Sequence, residues 1–296
     1  MDKKFNSSKG NKNRGGGQNN SFKNKNNSYY NQRENKRDFE RTDEAFSPDS
    51  ESVVVGRNAV RELLKSGRDI DKIFVQRGER EGSIVVLAAE ATSRHIPLVE
   101  VDKVKLDKMT GGANHQGIVA MAAEKQYSTV EDILAIAEER GEKPFIVISD
   151  GITDPHNLGA LIRCAEGAGA HGIIIPKRRS VGLTAAVTKS SAGAIEHMAI
   201  AKVTNIAATV ELLKKKGVWV FAAEAGGDAY YDTDFNCATA IVLGSEGDGV
   251  STIVKEKSDY ITSIPMYGKV NSLNVSTAAA VILSEVARQH NLKGNK

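Results

Sequence analysis

PFIVISDGITDPHNLGALIRCAEGAGAHGIIIP, residues 144–176, decides the fold. Its apolar ends, PFIVISD (144–150) and HGIIIP (171–176), predict strands, and the residues between them predict a helix near 157–169. The same alternation runs on through the chain. VWVFAAEA (218–225), TAIVLGS (239–245) and DYITSIPM (259–266) are further strands, and helices are expected near 183–190, 205–216 and 272–290. Uninterrupted apolar strands separated by helices imply an α/β domain over 144–292, with a mainly parallel sheet covered on both faces. Ligands of such sheets bind at the carboxyl ends of strands, so the loops after Asp150, Ser245 and Met266 are the ones to search.

Working outward, VVVGRNAVRELLKSG (53–67) reads as a strand, a turn at Gly56 and a helix. IDKIFVQ (70–76), IPLVEV (96–101) and GIVAMAAE (117–124) read as strands, with a helix over SIVVLAAEATSRH (83–95). This predicts a separate compact α/β unit over 52–124. The polar stretch 125–143, with one short helix, reads as a linker. Residues 1–50 are Asn, Lys, Gly and Ser with scattered aromatics and no periodicity, which predicts a disordered tail. Basic residues interleaved with aromatics suit loose RNA contact; a solubilising extension without a partner accounts for them equally well.

The charge is uneven. The first 50 residues hold eleven Lys or Arg against seven Asp or Glu, so the remaining 246 carry 29 basic and 30 acidic side chains although the whole chain is +3. Two widely spaced cysteines, Cys164 and Cys237, and the absence of metal-ligand spacing argue against a disulfide framework or a zinc site. No apolar leader or membrane-length stretch is visible, so a reducing cytoplasm is expected.

In the first loop Asn157 falls where a helix N-cap is wanted, Gly159 allows close backbone approach, and Arg163 follows on the helix. A capped helix with a surface Arg explains this loop as well as a site does. The second loop, LGSEGDGVS (243–251), sets three glycines around Glu246; it matches neither GxxxxGK[ST] nor GxGxxG, so it is not a nucleotide phosphate loop. In the third, Ile264, Pro265 and Met266 end a strand, Gly268 breaks the chain, and Ser272 and Asn274 open a long helix.

Taken together and in this order, the three loops resemble the signature motifs of the SpoU (TrmH-like) branch of the SPOUT RNA 2′-O-ribose methyltransferases. The matching positions are Asn157, Gly159 and Arg163; Leu243, Gly244, Glu246 and Gly249; and Ile264, Pro265, Met266, Gly268, Ser272, Leu273, Asn274 and Val275. KSSAGAIEH (189–197) resembles a further family stretch. GRNAVRELL and HQGIVA in the front unit resemble the L30e-like substrate-binding domain of bacterial 23S rRNA guanosine-2′-O-methyltransferases.

The resemblance implies a trefoil knot in the catalytic domain, a homodimer with the last helix at its interface, S-adenosyl-L-methionine as cofactor, and RNA as partner, either 23S rRNA or an assembling large subunit, with no DNA and no membrane. It implies catalytic roles for Arg163, Asn157, Glu246, Ser272 and Asn274, and a cofactor pocket from Gly244, Ile264, Leu273, Leu243 and Met266. A ribose hydroxyl is a weak nucleophile at neutral pH, so its proton must leave during attack. Arg163, with its very high pKa, suits stabilising the alkoxide while Glu246 or a phosphate takes the proton. Arg57, Arg61, Lys65 and Arg68 in the front unit, with Lys177, Arg178 and Arg179 in the catalytic domain, are candidate phosphate contacts. The alternatives are a tRNA ribose methyltransferase and a non-catalytic RNA-binding protein.

Overall fold

The computed structural model describes residues 51–78 and 82–291; the expectations placed on the tail and on the last residues of the chain lie outside the described residues. The front unit runs β1 (Glu51–Val55), α1 (Arg57–Ser66), β2 (Ile70–Gln76), α2 (Ser83–Ser93), β3 (Leu98–Val101), α3 (Lys103–Met109) and β4 (Ile118–Ala123). Its sheet order is β1-β4-β2-β3, with β4 antiparallel to both neighbours and β2 parallel to β3. Gly56 makes the turn from strand to helix with φ +99°, a conformation that L side chains resist. Ala59, Val60, Leu63 and Leu64 form the buried stripe of α1.

The second unit contains α4 (Val130–Glu139), β5 (Phe145–Asp150), α5 (Pro155–Gly167), β6 (Gly172–Pro176), α6 (Ala185–Ser190), β7 (Ala199–Val203), α7 (Ile206–Lys215), β8 (Trp219–Ala229), β9 (Thr239–Gly244), α8 (Thr252–Lys257), β10 (Tyr260–Ser263) and α9 (Val275–Asn291). Its strands form one sheet, β10-β8-β9-β5-β6-β7, parallel throughout.

Alternate residues of each strand feed opposite cores. Phe145, Val147, Ile173, Ile175, Ile241 and Leu243 pack against α5, α6 and α9, while Ile146, Ile148, Ile174, Ala240 and Val242 pack against α4, α7 and α8. Each fully buried Ile or Leu contributes roughly 1.5–3 kcal/mol, so a sheet filled on both faces holds its strand ends firmly.

Two elements escaped the sequence reading here, edge strand β7 and short helix α8. The stretch 125–143, expected as a linker, is built into this unit. A capping box of Thr129 and Asp132 starts α4, and Ile133 lies so close beneath β6 that a Cβ at Gly172 would sit 2.5 Å from its Cγ1. Cys164 and Cys237 are both free and half-buried. Among the described residues, no helix is long and apolar enough to cross a membrane.

Candidate active site

Three loops meet at the carboxyl ends of β5 and β9, where Asp150 pairs with Gly244 in parallel register. The first corrects an expectation. Asp154, not Asn157, is the N-cap of α5, and its Oδ1 accepts the Asn157 backbone N–H at 2.8 Å, with Pro155 at the first helical position. Asn157 is thereby held inside the first turn with its side chain free for other partners.

The second loop is closed by paired backbone bonds between Ser245 and Gly249, 3.1 and 3.0 Å long. Two of its three glycines are required by space. A Cβ at Gly244 would overlap the backbone of Gly249 and Val250, and one at Gly249 would lie 2.5 Å from Glu224 Oε2. Glu224 in the middle of β8 accepts the Val250 N–H at 3.0 Å, and Asp150 accepts that of Ser251 at 2.8 Å. Two carboxylates thus brace the loop from below. The sequence reading missed Glu224; the signal was an acid in the otherwise apolar strand VWVFAAEA, at its carboxyl end.

The third loop delivers Asn274. The helix begins at Val275, one residue later than Asn274, whose Oδ1 accepts from Ser276 N and Oγ at 2.9 and 2.6 Å. Ser272 lies two residues ahead of the cap and does not open the helix.

These loops join three of the expected residues in one network. Glu246 Oε1 accepts from Asn157 Nδ2 at 2.8 Å and from Asn274 Nδ2 at 2.6 Å, and Asn274 Nδ2 also approaches Asn157 Oδ1 at 3.0 Å. Glu246 Oε2 has no partner among the described residues. Two amide donors therefore fix one carboxylate oxygen and leave the other free to accept a proton or a hydroxyl hydrogen.

Clefts open on both sides of the Ser245–Gly249 loop. One, of about 510 Å³, is lined by Leu243, Gly244, Ile264, Met266 and Leu273, with Ser272 and Glu224 at its polar edge. The other, of about 750 Å³, is lined by Asn157, Arg178, Arg179 and Asn205. Glu246 borders both. Arg163 stands apart. It is exposed on α5, lines neither cleft, and has no hydrogen-bond or ion-pair partner among the described residues. Six residues from Asn157 it points roughly 240° around the helix, onto a different face.

Residues 144–284 match the model of the SpoU rRNA methylase family, and residues 53–128 match that of the RNA 2′-O ribose methyltransferase substrate-binding domain. YacO of Bacillus subtilis, assigned to the TrmH family of tRNA/rRNA methyltransferases, is 45% identical over 242 residues, 81% of this chain and 97% of its own. The chain belongs to the SpoU/TrmH family of RNA methyltransferases. A TrmH family tRNA/rRNA methyltransferase relative from Staphylococcus saprophyticus is 42% identical, covering 83% of this chain and 99% of its own.

Among solved structures, the SpoU methyltransferase AviRb of Streptomyces viridochromogenes, crystallised with the cofactor AdoMet, superposes with a TM-score of 0.68 at 23% identity, over 81% of this chain and 90% of its own. An AdoMet-bound rRNA methyltransferase of Sinorhizobium meliloti gives 0.66 at 24% identity, over 80% and 87%. These likenesses show the SPOUT fold, with a separate substrate-binding domain ahead of the catalytic one.

The methyl donor of the SpoU/TrmH family is S-adenosylmethionine, and the 510 Å³ cleft fits it. Ala223, Leu243, Ile264 and Leu273 provide apolar walls for a flat base. The bare Gly244 lets backbone approach closely, and Asn271 and Ser272 supply polar groups for a ribose or an amino-acid end.

Proposed function

We propose that this RNA methyltransferase modifies the ribose 2′-hydroxyl of a guanosine in 23S rRNA and works as a homodimer. The observation that carries the reading is Glu246, fixed by Asn157 and Asn274 on the one loop that separates the cofactor-sized cleft from a groove bearing Arg178 and Arg179. Bound in the 510 Å³ cleft, S-adenosylmethionine supplies a methyl group made electrophilic by its sulfonium.

The chain's own residues do the rest. Leu243, Gly244, Ile264, Met266 and Leu273 hold the donor. Arg178 and Arg179 grip phosphates on the groove side, and the free oxygen of Glu246 takes the hydroxyl proton, directly or through a phosphate. Asn274 positions the nucleotide, while Ser272, at the polar edge of the cofactor cleft, lies between donor and nucleotide. A reaction at the 2′-hydroxyl restricts the enzyme to RNA.

The exposure of Arg163 supports the dimer. The solvent face of the neighbouring α9 carries Thr277, Ala280 and Ser284, small side chains that let a second helix pair come close. In a homodimer joined there, Arg163 of one copy serves the alkoxide forming at the other. The return of the chain from β10 to α9 is where the expected trefoil knot closes.

The front domain favours rRNA over tRNA, because it adds a whole recognition surface ahead of the catalytic unit. Ribose-methylation mapping of total RNA from a strain lacking the protein tests the target. Loss of one 2′-O-methylguanosine in 23S rRNA is expected; an intact rRNA profile with a missing tRNA mark overturns the assignment.

A further inference from the structure

A cluster of charge buried between the two units plays no part in the site above. The side chain of Glu196, in the 3₁₀ turn Ala194–Glu196, is 1% exposed, and Arg68 of the front unit, 13% exposed, meets it at 3.2 Å, so Arg68 is turned inward and is not the phosphate contact its charge suggested. Arg68 is aimed from its own side by Ser52 Oγ, which Nη2 reaches at 3.1 Å, while its Nε has no acceptor among the described residues. The half-buried Lys125, at the junction of the two units, adds a second positive charge whose field reaches Glu196. Beside this cluster Glu62 of α1 takes His197 at 2.9 Å. Gly193 lies so tightly under α1 that a Cβ would fall 2.7 Å from Glu62 Cγ.

The turn that carries these contacts is strained and leads to the catalytic helix. Ala192 and Gly193 are both left-handed, with φ of +53° and +99°. Just before them, α6 packs on α5 so closely that Gly159 has no room for a side chain, and Ser190 Oγ donates to Pro155 O at 3.0 Å, in the turn that holds Asn157. An unbroken path of contacts therefore runs from the front unit through Glu196 and α6 to the helix of the catalytic network.

We propose that Glu196, paired with Arg68 and flanked by the Glu62–His197 pair, is a positioning joint that sets the front domain's angle to α5 and so delivers bound RNA to Glu246. The proposal rests on reading the chain as an RNA methyltransferase whose front domain holds the substrate. Packing alone would not need charge here. Apolar residues would seal such a seam with less desolvation cost, and ion pairs buried in this way fix one arrangement against others. Breaking the joint leaves the donor cleft and the front domain intact but lets RNA dock at the wrong angle. Misplacement by about 1 Å costs on the order of 10²-fold in rate.

The test uses the full chain with spin labels at Val86→Cys and Ile253→Cys, one on each unit and both exposed, with Cys164→Ala and Cys237→Ala. Variants are Arg68→Met, Glu196→Gln, and the milder Glu62→Ala with His197→Ala at the semi-exposed pair. Expected are a broadened interdomain distance distribution, S-adenosylmethionine and rRNA affinities within about threefold of the parent, and kcat lower by on the order of 10²-fold, partly recovered by Arg68→Lys. A distribution as narrow as the parent's, or a kcat that falls only in step with the melting temperature, overturns the joint. A parent that methylates no RNA overturns the activity reading instead, and the distance measurement still decides the joint.

Discussion

Asn274 Nδ2 lies 2.6 Å from Glu246 Oε1, bringing together two residues 28 positions apart in the chain. The contact couples the end of β9 to the start of α9, and Asn157 completes it from α5. Glu246→Gln keeps the side chain's shape and one oxygen for both amide donors, but replaces the free oxygen with an NH2 that cannot take a proton. The expected result is unchanged S-adenosylmethionine binding by calorimetry and methyl transfer lower by roughly 10²–10⁴-fold. A variant that transfers at the parental rate takes the proton-acceptor role away from Glu246.

Gly244 marks a place where only hydrogen fits, against the backbone of Gly249 and Val250. Gly244→Ala must push the two strands of the loop apart. It should cost about 1–3 kcal/mol of stability, read by denaturant unfolding, and abolish cofactor binding. Gly247, with open space around its Cβ position, is the control, since Gly247→Ala should do neither.

Arg163 separates stability from activity. Being exposed and unpartnered among the described residues, it should change folding by no more than about 0.5 kcal/mol when replaced by Ala. Methyl transfer should nevertheless be abolished. Mixing Arg163→Ala subunits with Glu246→Gln subunits should restore part of the rate, because a shared dimer contains one site with both residues. No recovery on mixing would place Arg163 and Glu246 in the same copy's site.

Arg178 and Arg179 border the groove across the loop from the cofactor cleft. Replacing both with Ala should weaken rRNA binding and reduce the slope of log K against log salt by about 2, with cofactor affinity unchanged. An unaltered slope would mean that neither touches phosphate.

His290 predicts an acid limit to stability. Burial against Phe145 pushes its pKa below the usual histidine value, although its Nε2 stays 2.9 Å from the Phe235 carbonyl. The unfolded chain then binds a proton more readily than the folded one. The stabilisation is complete above about pH 6.5 and is lost as pH falls from there through the lower folded pKa. Unfolding curves at several pH values should show a shallower acid decline for His290→Gln than for the parent.

The large pattern of the chain was legible because fully buried parallel strands cannot hide: Phe145–Asp150 and Thr239–Gly244 are apolar on both faces. β7 was missed because it is an edge strand built on Ala and Lys, with only two fully buried residues. α3 and α8 escaped because each buries a single residue, Leu106 and Val254, too few for a periodic stripe. At the site, Gly244 and Glu246 stood out as a glycine-rich turn around one acid. The cap of α5 was misread because Asn157 and Asp154 are both good cap residues, and only the Pro155 between them favours Asp154. Glu224 and the Arg68–Glu196 joint depend on distant pairings that no local pattern encodes.

Incubating the purified protein with S-adenosylmethionine labelled in its methyl group and with 23S rRNA tests the central claim most directly. Digestion to nucleosides should place the label in 2′-O-methylguanosine, at a single site, with roughly 10²–10⁴-fold slower transfer when Glu246→Gln replaces the parent. Label on a base instead of a ribose, or on tRNA with none on rRNA, would contradict the account.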